Sequence, residues 1–245
     1  MMNDESNSIF IIHRSSFLIH HSLSLLKHVL FDNDGTLVDS EIIAVRTMLS
    51  LLRPHGFEMH EDAFGQRYTG LLERDILAHL NREFGLVVGE DFQKRLHHLH
   101  IEAFDRDLRA ISGMPTVFRR LKIPKSMVSN ASRRHVERCL RRVRLHSALD
   151  GHIFSAEQVE RPKPHPDLYH FALESLGLKP GEVVVVEDSI TGVRAAAAAG
   201  LTVVGFLGAA HISDGHETKL LEAGAQLIAQ NAKALTVIFE GMGAM

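Results

Sequence analysis

Four short apolar runs of the sequence are followed, directly or after a loop, by polar residues of the types that handle phosphate. These residues are Asp32, Asp34, Ser129, Asn130, Lys163, Glu187 and Asp188. A carboxylate can attack phosphorus and form an acyl-phosphate, which divides one difficult displacement into two easier ones. A second carboxylic acid can protonate the leaving oxygen and later take a proton from the attacking water. The residue types therefore indicate transfer of a phosphoryl group to a carboxylate.

The four carboxylates of this set would repel one another if the fold brought them together, and burial would raise their pKa values. A divalent cation relieves that repulsion, and a donor set made only of oxygen atoms favours Mg²⁺. A lysine such as Lys163 would screen the attacking carboxylate from the phosphate charge. Ser129 and Asn130, with the amides that open the next helix, can hold phosphate oxygens.

The elements that must position these residues alternate between strands and helices. Apolar runs predict strands at 28–32, 126–129, 152–155, 182–187, 201–206 and 226–229, with helical patterns between the later ones. Such alternation predicts an α/β fold with a Rossmann-like, doubly wound parallel sheet. Ligands bind such sheets at the carboxyl ends of the strands, which is where the polar residues lie.

A block without strand signals interrupts this pattern. Apolar residues recur at helical spacing from about residue 39 to 110, in three stripes separated by glycine and proline. We therefore predict a core formed by residues 27–40 and 111–245, with an all-helical cap inserted at 41–110. Residues 1–26 carry acidic residues at the front and a charge-interrupted apolar stretch. They predict a poorly ordered extension rather than a signal peptide or a bilayer span.

Four segments resemble, in order, the motifs of the haloacid dehalogenase superfamily. FDNDGTLVDS at 31–40 is similar to the first motif, and Val128 to Asn130 is similar to the second. Lys163 in RPKPHPDLY is similar to the third, and VVVVEDSITGVRAA at 183–196 to the fourth. The resemblance covers roughly residues 27 to 234. One such motif is moderately specific, whereas the ordered set is strong.

The resemblance extends to the subgroup of β-phosphoglucomutase and the sugar-phosphate phosphatases, which carry a small helical cap. It implies that Asp32 is the nucleophile and a metal ligand. Asp34 is implied to be the general acid and base, with its backbone carbonyl on Mg²⁺, and Lys163 to neutralise charge on nucleophile and phosphate. Asp188 is implied to bind the metal, and Glu187 to do so directly or through water. Ser129 and Asn130 would bind the phosphoryl group.

The predicted cap offers candidate substrate contacts at Gly70, Arg67, Glu73 and Arg74. β-Phosphoglucomutases place a basic residue before the cap glycine and an arginine three residues after it. Thr69 and Glu73 stand at those positions here, which favours hydrolysis over a mutase. Two alternatives to a phosphatase stay open: a phosphosugar mutase, and a binding protein for phosphorylated metabolites that lacks catalysis. We predict that the other histidines, including His97, His98 and His100, lie on a solvated surface rather than in a metal site.

Bulk properties limit the partners. The net charge is −3 and charged residues make up 23% of the chain, which argues against a nucleic-acid or anionic-membrane partner. The single cysteine, Cys139, cannot form an internal disulfide and predicts packing in a reducing compartment. We therefore expect a cytoplasmic enzyme for a small phosphorylated metabolite, monomeric or, alternatively, dimeric.

Overall fold

The computed structural model describes residues 26–68 and 73–245. Its centre is a sheet of six parallel strands in the order β3-β2-β1-β4-β5-β6. The strands are β1 (His28–Phe31), β2 (Lys125–Ser129), β3 (Ile153–Ser155), β4 (Val183–Glu187), β5 (Thr202–Phe206) and β6 (Leu227–Ala229). This is the strand order of a Rossmann-type sheet, so the predicted fold class is confirmed.

The helices belong either to the predicted insertion or to the regions between and after the strands. In chain order they are α1 (Glu41–Leu52), α2 (Glu61–Tyr68), α3 (Glu73–Phe84), α4 (Glu90–Asp107), α5 (Met114–Arg120), α6 (Arg133–Arg142), α7 (Asp167–Leu176), α8 (Ile190–Ala198), α9 (His216–Ala223) and α10 (Ala232–Gly241). Short 3₁₀ turns lie at Arg53–His55, His146–Ala148, Ala156–Gln158 and Pro180–Glu182. No helix among the described residues combines the length and apolar character needed to cross a membrane.

The sheet is buried on both faces, because most side chains of its strands are apolar and pack into a core cluster on each side. Alternate residues of β1 point to opposite sides, so Val29 and Phe31 pack in one core cluster and Leu30 packs in the other. The four consecutive valines of β4 divide in the same way between the two clusters. Near-continuous apolar strands of this kind require helices on both faces, which explains why a parallel sheet forms.

The register brings the ends of the central strands to one level. Phe31, the last residue of β1, pairs with Met127 in β2 and with Val186 in β4. The residues that follow these strands therefore meet at one edge of the sheet. β1 lies between β2 and β4, where the strand order reverses, and a ligand crevice is expected at that point.

Helices α1 to α4 form a separate apolar cluster from Leu49, Leu52, Phe64, Leu80 and their neighbours. A smaller cluster, which includes Phe104 of α4 and Cys139 of α6, joins these helices to the sheet region. The predicted helical block is thus observed over its described residues, and the buried Cys139 packs as expected. The boundaries of the predicted cap stay a prediction, as does the extension, of which only Leu26 lies within the described residues.

Candidate active site

Asp32 stands one residue beyond β1, and its backbone NH donates to the carbonyl of Val186 in β4 at 3.0 Å. This bond extends the β1–β4 pairing and fixes the position of the aspartate. The side chain is buried, and its Oδ1 accepts a hydrogen bond from Lys163 Nζ at 2.7 Å. The two residues are 131 positions apart in the chain, so the fold alone brings them together.

The Lys163 ammonium is buried, and its three N–H groups donate to three acceptors. Besides Asp32, these are Glu187 Oε1 at 2.5 Å and the carbonyl of Val128 at 2.7 Å. The loop that carries the lysine is tied down by Asn130, whose amide donates to the Lys163 carbonyl at 2.9 Å and accepts from the Lys163 NH at 3.0 Å. The lysine therefore faces the strand ends in a fixed position.

Glu187, the last residue of β4, is fully buried, and both of its carboxylate oxygens have donors. Oε1 accepts from Lys163 and from the Tyr169 hydroxyl at 3.3 Å. Oε2 accepts from the Ser189 NH at 3.1 Å and the Ser189 hydroxyl at 2.9 Å. Gly192 leaves the space for this carboxylate, because a Cβ there would lie 1.7 Å from Oε1.

Asp188 follows directly and is held by a different set of donors. Its Oδ1 accepts from the Thr36 hydroxyl at 2.8 Å, and its Oδ2 lies 3.3 Å from His211 Nε2. Gly35 must lack a side chain here, because a Cβ would come within 2.1 Å of Asp188 Oδ2, and its φ of +79° also favours glycine. The turn after β1 and the start of the loop after β4 are therefore packed directly against each other.

The Asp34 carboxylate lies against helix α6. Its Oδ1 accepts from the Ser40 hydroxyl at 2.6 Å and lies 3.2 Å from His135 Nε2. Burial acts to raise the pKa of Asp34, but the hydrogen bonds from His135 and Ser40 outweigh it and lower this pKa. Burial likewise acts to lower the pKa of His135, but its hydrogen bond to Asp34 raises that pKa to about 10. The pair therefore holds one proton at neutral pH.

Ser129 ends β2 in a buried position, and its hydroxyl accepts a hydrogen bond from the NH of Ala131 at 3.1 Å. The next helix, α6, begins after Ser132, whose hydroxyl caps it by accepting from the NH of His135. Ser129 thus lies at the strand end nearest Lys163, whose ammonium reaches the carbonyl of the preceding Val128. The exposed Asn130 fixes the loop that carries Lys163, and it is also one of the two residues predicted to bind the phosphoryl group.

The charge balance of the site fits a bound cation. Asp32, Glu187 and Asp188 are all buried and offer carboxylate oxygens within 4.8 Å of one another. Burial raises the pKa of Asp32 well above its usual range, with Glu187 and Asp188 adding to this and Lys163 opposing it. Burial acts to lower the pKa of Lys163, but Asp32 and Glu187 raise it well above its usual value. The single lysine does not balance the three carboxylates, so the site carries excess negative charge. Carboxylate oxygen donors suit Mg²⁺.

A comparison with known families decides the relationship that this geometry suggests. The family of haloacid dehalogenase-like hydrolases matches residues 29–206, which contain every site residue described above except His211. The chain belongs to the haloacid dehalogenase-like hydrolases. The resemblance drawn from the four sequence motifs is therefore confirmed.

Individual relatives of this hydrolase agree with its enzyme class. A phosphorylated carbohydrates phosphatase of Thermotoga maritima is 32% identical over 86% of this chain and 98% of its own length. A 6-phosphogluconate phosphatase of Escherichia coli is 25% identical over 75% of this chain and 83% of its own. A family hydrolase of Deinococcus radiodurans, solved with phosphate and sodium bound, superposes with a TM-score of 0.83 at 32% identity, covering 90% and 98% of the two chains. The predicted class, a phosphoric monoester hydrolase, is confirmed.

The structure of this hydrolase brings together Asp32, Lys163, Glu187 and Asp188, and places Asp34 and Ser129 beside them. The predicted contact Gly70 lies outside the described residues. Arg67 and Arg74 instead pair with carboxylates of the same helical block, Arg67 with Glu83 and Arg74 with Asp75.

Several groups at the site of the hydrolase were not predicted from its sequence. Thr36 and Ser40 lie inside the first motif, so their position beside the aspartates was a usable signal. His135 and His211 were predicted to be surface histidines, and this prediction is wrong: they contact Asp34 and Asp188. Their contacts join residues 101 and 23 positions apart, and no local pattern in the sequence marks such pairs.

Proposed function

We propose that this chain is a Mg²⁺-dependent phosphatase that hydrolyses a small phosphorylated carbohydrate or related metabolite through an aspartyl-phosphate on Asp32. The observation that carries the proposal is the buried Lys163 ammonium, which donates both to Asp32 and to Glu187. A lysine in this position opposes the rise that burial causes in the pKa of the nucleophile, and it screens the nucleophile from a phosphate dianion. Relatives named as phosphatases of phosphorylated carbohydrates and of 6-phosphogluconate support the substrate class.

In the first step an Asp32 carboxylate oxygen forms a bond to phosphorus while the bond from phosphorus to the ester oxygen breaks. The departing alcohol takes a proton from Asp34, to which the protonated His135 passes its own proton. Lys163 compensates negative charge on the attacking oxygen and on the phosphoryl group. Ser129 and the Asn130 amide bind the phosphoryl oxygens as they pass to Asp32.

In the second step water attacks the phosphorus of the aspartyl-phosphate. Asp34 accepts a proton from this water, and the water thereby becomes a better nucleophile. The bond between phosphorus and the Asp32 oxygen breaks. Inorganic phosphate leaves, and the free Asp32 carboxylate is restored beside Lys163. The same carboxyl thus gives and then takes a proton, which returns the site to its starting protonation state.

Asp32, Asp188 and the backbone carbonyl of Asp34 would hold the Mg²⁺ ion, with Glu187 binding directly or through water. When bound, the ion would supply positive charge that offsets the carboxylates and polarises the phosphoryl group. Both Glu187 oxygens already accept hydrogen bonds from Lys163, Tyr169 or Ser189, and this arrangement favours contact through water. Thr36 orients Asp188 for the same purpose.

The inserted helices 41–110 act in this proposal as a cap that covers the site, excludes water and contacts the leaving group. Contact between the substrate and Gly70, which lies outside the described residues, stays a prediction from the sequence. Glu73 favours hydrolysis over a mutase, as argued from the sequence. The cytoplasmic location stays a prediction, and so does the monomeric state with a dimer as its alternative.

The test is hydrolysis of p-nitrophenyl phosphate by the purified full-length chain, with Mg²⁺ and with EDTA. We expect turnover only with Mg²⁺, and a loss of roughly a thousandfold or more in Asp32→Asn, because a neutral amide cannot attack phosphorus. Asp150→Asn is the matched control. Asp150 also contacts a buried lysine, Lys125 (2.5 Å), but this pair is at the start of β2, at the opposite edge of the sheet.

Circular dichroism and the melting temperature must show that both variants fold. Wild-type rates in a folded Asp32→Asn variant would exclude Asp32 as the nucleophile. An absence of Mg²⁺-dependent turnover with any phosphate ester would instead favour the alternative of a non-catalytic binding protein.

A further inference from the structure

A cavity of about 330 Å³ lies among helices α1, α2, α3 and α4. Its polar lining comes from Glu41, Tyr68, Glu73, His97 and His100, and apolar side chains complete the walls. His97 is exposed, as predicted for a solvated surface of the cap, whereas His100 is partly buried in the cavity lining, which corrects the prediction for that residue. The mixture of apolar walls and a few convergent polar groups is typical of a small-molecule site.

The cavity adjoins the candidate active site through Glu41. This residue follows Ser40, whose hydroxyl donates to Asp34 at 2.6 Å. Burial raises the pKa of Glu41 to about 7, and the nearby charges of Asp34 and Asp188 add to that rise while His211 opposes it. A group attached to a phosphate at Asp32 therefore has the cavity within its reach.

The cavity lining becomes more negatively charged as the pH rises above about 7, where Glu41 is ionised. Glu41 and Glu73 contribute two carboxylates, and none of the described lining residues is a lysine or an arginine. The arginines on either side of the gap in the described chain are engaged elsewhere, Arg67 with Glu83 and Arg74 with Asp75. The four residues of that gap, at 69–72, are Thr, Gly, Leu and Leu, so none of them adds an ionisable side chain.

A buried hydroxyl gives a second and independent sign of a ligand. Tyr68 lines the cavity and is 1% exposed, yet its hydroxyl has no hydrogen-bond partner among the described residues. Buried polar groups are nearly always paired, because leaving one unpaired loses the hydrogen bond it made with water. A ligand oxygen in the cavity would satisfy this hydroxyl.

We propose that this cavity binds the leaving group of the phosphate ester and selects a hydroxyl-rich group that carries no anionic group of its own. The inference rests on the proposed phosphatase function. Hydroxyls can donate to Glu41 and Glu73 and accept from Tyr68. A second phosphate or a carboxylate would lie near the two glutamates without a guanidinium or ammonium to pair with, and specificity then follows from repulsion.

The experiment compares glucitol 6-phosphate with gluconate 6-phosphate. The two esters share the carbon chain and the phosphate, and they differ at carbon 1, which is a hydroxymethyl group in the first and a carboxylate in the second. We expect kcat/KM to be at least about tenfold higher for glucitol 6-phosphate, because like charges a few ångströms apart near a protein surface cost at least that factor. Each ester is also tested as a competitor of p-nitrophenyl phosphate.

Variants of the lining glutamates test whether the cavity causes the difference in kcat/KM between the two esters. Glu73→Gln and Glu41→Gln each replace a carboxyl group by a neutral amide, and each is expected to narrow the kcat/KM ratio between the two esters above pH 7, where Glu41 is mostly ionised. Asp75→Asn is the matched control, because it makes the same change in charge on an exposed side chain of the same helix, α3, and is expected to leave the ratio unchanged. Two glutamate variants keep the test informative if one of them fails to fold.

Each outcome separates the inference from the function on which it rests. Equal or better turnover of gluconate 6-phosphate would overturn the inference and leave the phosphatase function standing. Turnover of p-nitrophenyl phosphate with neither six-carbon ester hydrolysed or competing would also overturn it, because a hydroxyl-rich leaving group must then be wrong. If the kcat/KM ratio between the two esters changes in Asp75→Asn as much as in Glu73→Gln, the cavity is not the source of the discrimination. No turnover of any ester would contradict the proposed function itself.

Discussion

Thr36 shows how much at the site depends on single side chains outside the predicted set. It is fully buried, and its hydroxyl donates to Asp188 Oδ1 at 2.8 Å. Groups that orient a metal ligand in this way are needed to hold it in the binding geometry. The position of Asp188, and with it the proposed affinity for Mg²⁺, should therefore respond to the Thr36 hydroxyl.

Replacing this hydroxyl tests that dependence. In Thr36→Val, which keeps the shape of the side chain, we expect the Mg²⁺ concentration for half-maximal activity to rise about tenfold. Thr36→Ser restores the hydroxyl and should bring the value back towards wild type. The measurement is p-nitrophenyl phosphate hydrolysis across a Mg²⁺ titration. A valine variant that needs no more Mg²⁺ than wild type would show that Thr36 is only a packing residue.

Strands β1 and β2 are linked by a buried polar contact at the end away from the site. His28 Nε2 lies 2.8 Å from the Ser126 hydroxyl, and both residues are buried. Burial, with the nearby His152, lowers the pKa of His28 from 6.5 to about 4. Between those values the unfolded chain binds a proton at this position and the folded chain does not. Protonation therefore favours unfolding below pH 6.5, and the penalty is complete below about pH 4.

This linkage predicts a pH-dependent difference between wild type and His28→Gln. Lowering the pH from 7.5 to 4.5 should cost wild type on the order of 2 kcal/mol more of its unfolding free energy than the variant. Urea denaturation at several pH values measures both, and comparing the two proteins cancels the carboxylates they share. His60→Gln, at a highly exposed histidine, should follow wild type. If the unfolding free energies of wild type and His28→Gln fall equally as the pH is lowered, the lowered pKa of His28 is not the cause.

At the scale of the whole molecule, all six strands and all site residues of the described chain lie within residues 27–245. Lys27 already joins the fold, since its NH donates to the Glu182 carbonyl at 2.8 Å, and the family match begins at residue 29. Within the part of the chain that the structure describes, the contacts that define the site involve only residues from β1 onwards. The predicted extension at 1–26 should therefore be dispensable for catalysis.

A chain that starts at Leu26 tests this prediction. We expect its kcat/KM for p-nitrophenyl phosphate to stay within about twofold of the full chain, because the groups that contact the reacting atoms are unchanged. A chain that starts at Asn33 is the control: it lacks β1 and Asp32 and should not fold. If the Leu26 variant loses activity while it still melts cooperatively, the extension has a role that its sequence does not indicate.

The sequence by itself determined the sheet, the helical insertion and the charged set at the strand ends. Each of these depends on local patterns: apolar runs such as the valines of β4, helical spacing in 41–110, and residues directly after a strand. Two helices, α9 and α10, were not predicted. Each contributes a buried leucine to the core, Leu220 in α9 and Leu235 in α10, and that packing stabilises helices whose sequence signal is weak.

Only the tertiary structure decided which neighbours these residues have. That Asp34 faces His135, that Asp188 contacts Thr36 and His211, and that both oxygens of Glu187 are occupied all follow from packing between distant parts of the chain. The acidic cavity beside Glu41 is of the same kind, because four helices must pack before it exists. Asp32 could be identified from its motif, whereas its raised pKa and its bond to Lys163 depend on burial and distance, which a sequence pattern does not contain.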